Sequence, residues 1–157
     1  MWTVEEIITN FQRRGHKITP QRRAIFKIIC ENNTHPSAED VYQQVSANMP
    51  DISLTTIYNT MRELKELGLI DAVNAVGDGS LRYDKRTDRH DHLYCLHCNR
   101  IIDIETPSGS LKIPKEKSKG FEIVKQQVTY YGYCPACQKN MRDKTGREET
   151  QASVFNE

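Results

Sequence analysis

Residues 53–68, Ser53-Leu54-Thr55-Thr56-Ile57-Tyr58-Asn59-Thr60-Met61-Arg62-Glu63-Leu64-Lys65-Glu66-Leu67-Gly68, read as one complete helix. Ser53 is an N-cap residue, and Gly68 supplies the left-handed residue that closes a helix. Ile57, Met61, Leu64 and Leu67 recur at helical spacing and predict a buried stripe over Leu54 to Leu67. The opposite face carries Thr55, Thr56, Tyr58, Asn59, Arg62 and Lys65. A different pattern follows. Leu69 to Val76 reads as a strand, Gly77-Asp78-Gly79-Ser80 as a turn, and Leu81-Arg82-Tyr83 as the start of a returning strand.

Towards the N-terminus the signals are helical. Thr3 and Glu6 have capping-box spacing ahead of Ile7, Ile8 and Phe11, predicting a short helix that stops near Gly15. Thr19-Pro20 starts a second helix, with Ala24, Ile25, Ile28 and Ile29 as its apolar stripe. His35-Pro36 breaks the chain. Ser37 and Asp40 start a third helix with Val41 and Val45 facing inward, and Pro50-Asp51 ends it. Helices followed by a hairpin predict a winged helix-turn-helix over residues 1–83.

An α-helix fits the DNA major groove, so the helix from Leu54 is the candidate reading element. Tyr58 offers a ring for a thymine methyl and a hydroxyl for phosphate. Asn59 and Arg62 are natural hydrogen-bonding partners, and Thr55 and Thr56 share their face. From Ile7 to Cys30 there is no acidic residue, while Arg13, Arg14, Lys17, Arg22, Arg23 and Lys27 all fall there. Arg13, Lys17 and Arg22 join the helix face as expected DNA contacts, and His16 in the same run is expected to face solvent or phosphate. The competing reading of both features is an ordinary solvated surface.

Towards the C-terminus, residues 84–92 are charged, lack apolar residues to bury and read as a hinge. Leu93-Tyr94-Cys95 and Ile101-Ile102-Asp103-Ile104 read as strands around a Cys95-Leu96-His97-Cys98 turn. Thr106 to Ser110 is an expected loop, Lys112 to Lys119 a short helix, and Phe121 to Tyr133 a long strand entering Cys134-Pro135-Ala136-Cys137. Residues 93–143 form the expected α/β domain, and residues 144–157 an expected disordered tail. The class is therefore α+β. Each C-x-x-C lets a tight turn aim two sulfurs at one point. Cys95, Cys98, Cys134 and Cys137 make the usual closed set for structural Zn²⁺. Disulfides are the competing reading, but the acidic, amphipathic N-terminus is not a secretory signal, so reduced thiols in a cytoplasmic protein are expected. Cys30 ends an apolar stripe and reads as a small buried hydrophobe.

A second constellation is His90-Asp91-His92, with Asp84 before it and Asp103 after it. Residues two apart on a strand share a face, so both imidazoles point away from Cys95 and serve a different metal. Imidazole nitrogen with carboxylate oxygen suits Fe²⁺, Mn²⁺ or Zn²⁺. Glu105 shares a face with Asp103 and is its possible substitute. Asp88 and Asp91 read as solvated charges, and His97 as exposed.

The 157 residues hold one ordinary domain or two small ones, and 37% hydrophobic residues suit modest cores. No apolar run reaches the roughly 20 residues of a membrane span. The net charge of +1 confines any phosphate contact to a patch. A hydrolytic metalloenzyme would need a general base and a substrate pocket, and neither is visible. A zinc-stapled interaction module is the remaining outsider.

From about Ile7 to Gln138 the chain resembles the ferric uptake regulator superfamily of metal-dependent repressors. The resemblance rests on Thr19-Pro20-Gln21-Arg22, His35-Pro36-Ser37-Ala38-Glu39-Asp40-Val41-Tyr42, Ser53-Leu54-Thr55-Thr56-Ile57-Tyr58, His90-Asp91-His92 and both cysteine pairs. It implies a homodimer that binds a palindromic double-stranded DNA operator. It also implies structural Zn²⁺ on the four cysteines, and regulatory Fe²⁺ or Mn²⁺ on His35, Asp84, His90, His92 and Asp103. Asp103, where iron and zinc regulators commonly have glutamate, points to the peroxide-responsive branch. That branch implies Fe²⁺-driven oxidation of His35 or His90, with release of DNA. The alternative is an iron- or zinc-uptake regulator that senses metal without oxidation. Lys125-Gln126-Gln127 stands where many relatives carry a further histidine, so no third metal site is expected. Asn99 replaces the glycine usual after the first cysteine pair and must tolerate a left-handed turn.

Overall fold

The protein's structure, a computed structural model, describes residues 2–74, 79–105 and 113–142. It divides into two compact units, residues 1–88 and 89–157. The first holds four helices, α1 (Val4–Arg13), α2 (Pro20–Glu31), α3 (Ala38–Ser46) and α4 (Leu54–Glu66), then strands β1 (Asp71–Asn74) and β2 (Leu81–Asp84). All four helices start as the sequence dictates. Thr3 and Ser37 form capping boxes with Glu6 and Asp40, while Thr19 and Ser53 cap α2 and α4. Gly68, at φ +68°, closes α4 in the left-handed conformation that a side chain would resist.

The core of this unit is built from the expected stripes. Ile7 and Phe11, Ile25 and Ile29, Val41 and Val45, and Ile57, Met61 and Leu64 are all buried together. Phe26, fully buried on α2, sets its ring 4.8 Å from that of Phe11. Phe26→Ala leaves a void between α1 and α2 and is expected to cost about 3–5 kcal/mol. Chemical denaturation of the full chain, followed by helix signal, measures it.

The hairpin β1–β2 is antiparallel, pairing Asp71 with Asp84 and Val73 with Arg82. The first strand starts at Asp71 and not at the expected Leu69, because Leu69 and Ile70 turn into the helical core and are buried there; Ala75 and Val76 lie outside the described residues. The hairpin is tied down twice. Arg82 Nη1 lies 3.0 Å from Asp40 Oδ2 on α3, and the Tyr83 N–H donates to the Pro36 carbonyl at 2.9 Å.

The second unit is a three-stranded sheet in the order β4–β3–β5, where β3 is Asp91–Cys95, β4 is Ile101–Ile104 and β5 is Thr129–Gly132. β3 and β4 are antiparallel, and β3 and β5 are parallel. β3 starts at Asp91, inside the stretch read as a hinge, because β4 extends to Ile104 opposite it, while β5 joins from His92. The expected long strand from Phe121 pairs only from Thr129. A strand needs a partner ladder, and β3, five residues long, offers none further back. Of the expected helix at Lys112 to Lys119, the described residues from 113 onward hold a single 3₁₀ turn, Lys115–Lys117. Residues 135–142 are helical, an element the polar C-terminal composition did not announce. Gly77 and Asp78 of the expected turn, the loop 106–110 and the tail 144–157 lie outside the described residues. No helix among the described residues is long and apolar enough to cross a membrane.

Candidate metal centres

β3 ends on Cys95, and a turn carries the chain into β4. The Asn99 N–H donates to the Cys95 carbonyl and the Cys95 N–H to the Arg100 carbonyl, both at 2.9 Å. Asn99 closes this turn at φ +58°, the left-handed conformation its position demands. Its Oδ1 accepts from the buried Tyr94 hydroxyl at 2.8 Å, a bond that glycine could not make. The parallel register sets Gly132 beside Cys95, so the chain leaving β5 reaches Cys134 next to the first pair. Cys134 opens the helix 135–142, and Cys137 follows it by three residues, on the same helical face.

The four sulfurs lie within 4.8 Å of one another. Cys98 Sγ and Cys134 Sγ are 3.8 Å apart, and a tetrahedron with Zn–S bonds of about 2.3 Å has edges of about that length. The donor set thus fits a closed Zn²⁺ site. Backbone amides favour thiolate here. Burial alone raises the Cys95 thiol, but N–H groups of Cys134, Cys98 and His97 turned on its sulfur bring it down to about 6. The Cys134 N–H is 3.2 Å from it. Cys134 is lowered mainly by the Cys137 amide, and Cys137, donating to Cys134, is pushed up to about 12. A thiolate-binding cation displaces the remaining protons of such a graded set into solvent as it binds. His97 is exposed, with Nδ1 3.5 Å from Cys137 Sγ.

A second donor set sits on the same sheet without sulfur. His90 and His92 bring their Nε2 atoms within 3.0 Å. Asp103, paired with His92 across β3 and β4, places Oδ1 3.7 Å from His90 Nε2 and 3.6 Å from His92 Nε2. Two nitrogens held at right angles by bonds of about 2.1 Å are about 3.0 Å apart, so the pair fits one cation. His92 is completely buried, Asp103 half-exposed and Glu105 exposed. Asp91, expected to be solvated, is buried, because the strand starts at this residue. Asp88 is exposed and pairs with Arg86.

In the first unit His35 and Asp84 make a third feature. Pro36 receives the Tyr83 N–H, so the residues flanking that bond face each other, and His35 Nε2 lies 3.5 Å from Asp84 Oδ2. Both side chains are buried. His35 adopts φ +53°, in the left-handed region, directly before Pro36. Left-handed backbone at a non-glycine residue is uncommon and costs on the order of 1–3 kcal/mol, which the surrounding structure must offset.

The polar face of α4 and the basic run meet in one open groove of about 630 Å³, lined by Lys17, Gln21, Arg22, Thr56, Asn59 and Arg62 among others. Arg13, Thr55, Asn59 and Arg62 are exposed. Arg22 is largely engaged internally. It pairs with Glu63 at 2.5 Å, donates to the Lys17 carbonyl at 2.8 Å and stacks over Phe11. His16 also faces Glu63, at 3.3 Å. The Tyr58 hydroxyl donates to Glu39 on α3, which lowers the Glu39 carboxyl and raises the Tyr58 phenol. Cys30 is half-buried, with its thiol raised by burial.

Sequence reading missed Gln127, whose amide Nε2 lies 3.2 Å from His92 Nδ1. No local pattern marks a glutamine as a histidine's partner across a sheet.

Against known proteins, residues 13–131 match the model of the ferric uptake regulator family. The chain is 35% identical over 136 residues to the peroxide-responsive repressor PerR of Staphylococcus aureus, covering 86% of this chain and 91% of the relative. Among solved structures it is similar to a zinc-bound manganese uptake regulator, with a TM-score of 0.63, 28% identity, and coverage of 85% of this chain and 99% of the other. It is also similar to PerR from Streptococcus pyogenes, a structure described as the basis for peroxide sensing and gene regulation. There the TM-score is 0.52 at 27% identity, covering 87% and 94% of the two chains.

Proposed function

This chain belongs to the ferric uptake regulator family, and from that premise we propose that it is a DNA-binding repressor that senses hydrogen peroxide through a metal-bound histidine. The observation that carries the reading is the separation of two donor sets. Four thiols converge in one place, while His90, His92 and Asp103 converge in another without sulfur. A sulfur-only set suits a permanent structural ion, and a nitrogen–oxygen set suits a cation that exchanges.

In this reading Cys95, Cys98, Cys134 and Cys137 hold Zn²⁺. His90, His92 and Asp103, together with His35 and Asp84 from the first unit, hold Fe²⁺ or Mn²⁺. Donors from both units on one cation fix the units in the DNA-binding orientation. When bound, Fe²⁺ supplies one-electron chemistry towards peroxide that Mn²⁺ does not. The protein's part is to keep His35 and His90 close enough to the reacting centre to take up oxygen, after which an altered imidazole no longer holds its half of the clamp. Asp103 and the staphylococcal relative's name support peroxide as the signal. The groove along α4 supports DNA as the partner, with Lys17, Asn59 and Arg62 the contacts of clearest access. Leu93 and its neighbours across the sheet, Ile102 and Tyr130, form an exposed apolar face that supports a homodimer.

Mass spectrometry of the Fe²⁺-loaded protein before and after hydrogen peroxide tests the proposal, with operator binding measured in parallel. A gain of one oxygen atom on His35 or His90 with loss of DNA binding is the expected result. Unmodified histidines with retained DNA binding would instead make the chain a metal-uptake regulator, as one of the similar structures is named.

A further inference from the structure

His92 is gripped from its far side by one short segment. Its backbone N–H donates to the Val128 carbonyl at 3.0 Å, and it pairs with Thr129 in the parallel register. Its ring Nδ1 faces the amide of half-buried Gln127 at 3.2 Å. Its other nitrogen, Nε2, faces His90 and Asp103. Residues 127–129 therefore hold both the backbone and the Nδ1 side of a residue whose Nε2 points at the nitrogen–oxygen set.

The two ring nitrogens cannot play the same part. A nitrogen that gives its lone pair to a cation carries no proton, so a neutral His92 ligating through Nε2 must hold its proton on Nδ1. That Nδ1–H needs an acceptor, and an acceptor there fixes both the ring's orientation and its tautomer. A primary amide can serve either tautomer. With Nε2 turned inward, as here, Gln127 donates to a bare Nδ1. A half-turn about Cγ–Cδ presents Oε1, which accepts from a protonated one. A carboxylate in its place could only accept, and an aliphatic side chain could do neither.

We propose that Gln127 is the positioning residue for His92, its amide turning over to favour the Nδ1-protonated ring and so present Nε2 to a divalent cation. The inference rests on His92 being a ligand of the regulatory cation.

The test uses the full-length, zinc-loaded protein, with Gln127→Leu and Gln127→Glu beside the wild type. Free Mn²⁺ is followed by electron paramagnetic resonance during titration. Nitrogen-15 imidazole spectra, recorded before Mn²⁺ is added, report the His92 tautomer. Gln127→Leu is expected to weaken Mn²⁺ binding on the order of 10- to 100-fold, the usual cost of losing such a partner. Gln127→Glu is expected to match or exceed the wild type and to shift the ring towards the Nδ1–H form. Zinc content and thermal melting should stay the same in all three. Equal Mn²⁺ affinities with an unchanged His92 ring pattern would overturn the proposal. If Mn²⁺ binds none of the three while the ring pattern still follows residue 127, the regulatory-metal reading fails and the tautomer role alone is supported.

Discussion

Cys95→Ser is expected to unfold the C-terminal unit and leave the helical unit intact. Among the described residues, the buried apolar side chains of the second unit are Tyr94, Ile101 and two of the cysteines themselves, Cys95 and Cys137. So small a core cannot offset the chain entropy of ordering a three-stranded sheet. Structural zinc supplies on the order of 10 kcal/mol in small domains, and serine is too weak a ligand to keep the set closed. The first unit has a contiguous core from four helices and the hairpin, so it does not depend on that ion. Zinc content together with calorimetry measures the effect. The expected outcome is loss of bound zinc and of one thermal transition, with helix signal retained. Cys30→Ser is the control. It touches neither cluster, its sulfur lies 3.4 Å from the Trp2 carbonyl, and it should cost about 1 kcal/mol. A Cys95→Ser protein that keeps its zinc and both transitions would show that the thiols are not the unit's staple.

His92→Gln is expected to do the reverse, sparing the fold and removing the metal response. The substitution keeps a polar side chain of similar length where His92 is wholly buried, which limits the cavity cost. It removes the nitrogen that converges with His90 and Asp103. Mn²⁺ affinity should fall by more than about 100-fold, beyond what disturbing an outer partner costs. Mn²⁺-dependent operator binding should disappear, while zinc content and melting stay near wild type. Titrating Mn²⁺ in a DNA-binding assay reads this directly. A variant that still binds DNA in response to Mn²⁺ would remove His92 from the site.

The helical unit was legible because its signals are local. Thr3, Thr19, Ser37 and Ser53 each satisfy amides within their own first turn, and the apolar stripes each follow a single helix's period. The cysteine pairs were legible for the same reason, since two residues of spacing make each pair a local turn. The sheet was less so. Phe121 to Gln127 alternates loosely enough to read as strand, yet it has no strand pairing to join. Arg22 sits in a basic run that reads as phosphate-facing, but Glu63, 41 residues away in sequence, engages its guanidinium.

From sequence alone came the four helices, the hairpin after them, the two thiol turns, and the pairing of His90 with His92 on one face. Each depends on neighbours within a few residues, where propensity, capping and period suffice. Tertiary structure decided what converges across distance. Parallel pairing of β3 with β5 carries Cys134 to Cys95 and lays Gln127 against His92, while the Tyr83–Pro36 bond turns His35 to Asp84. Those meetings come from strand register and loop closure, which no local side-chain pattern encodes.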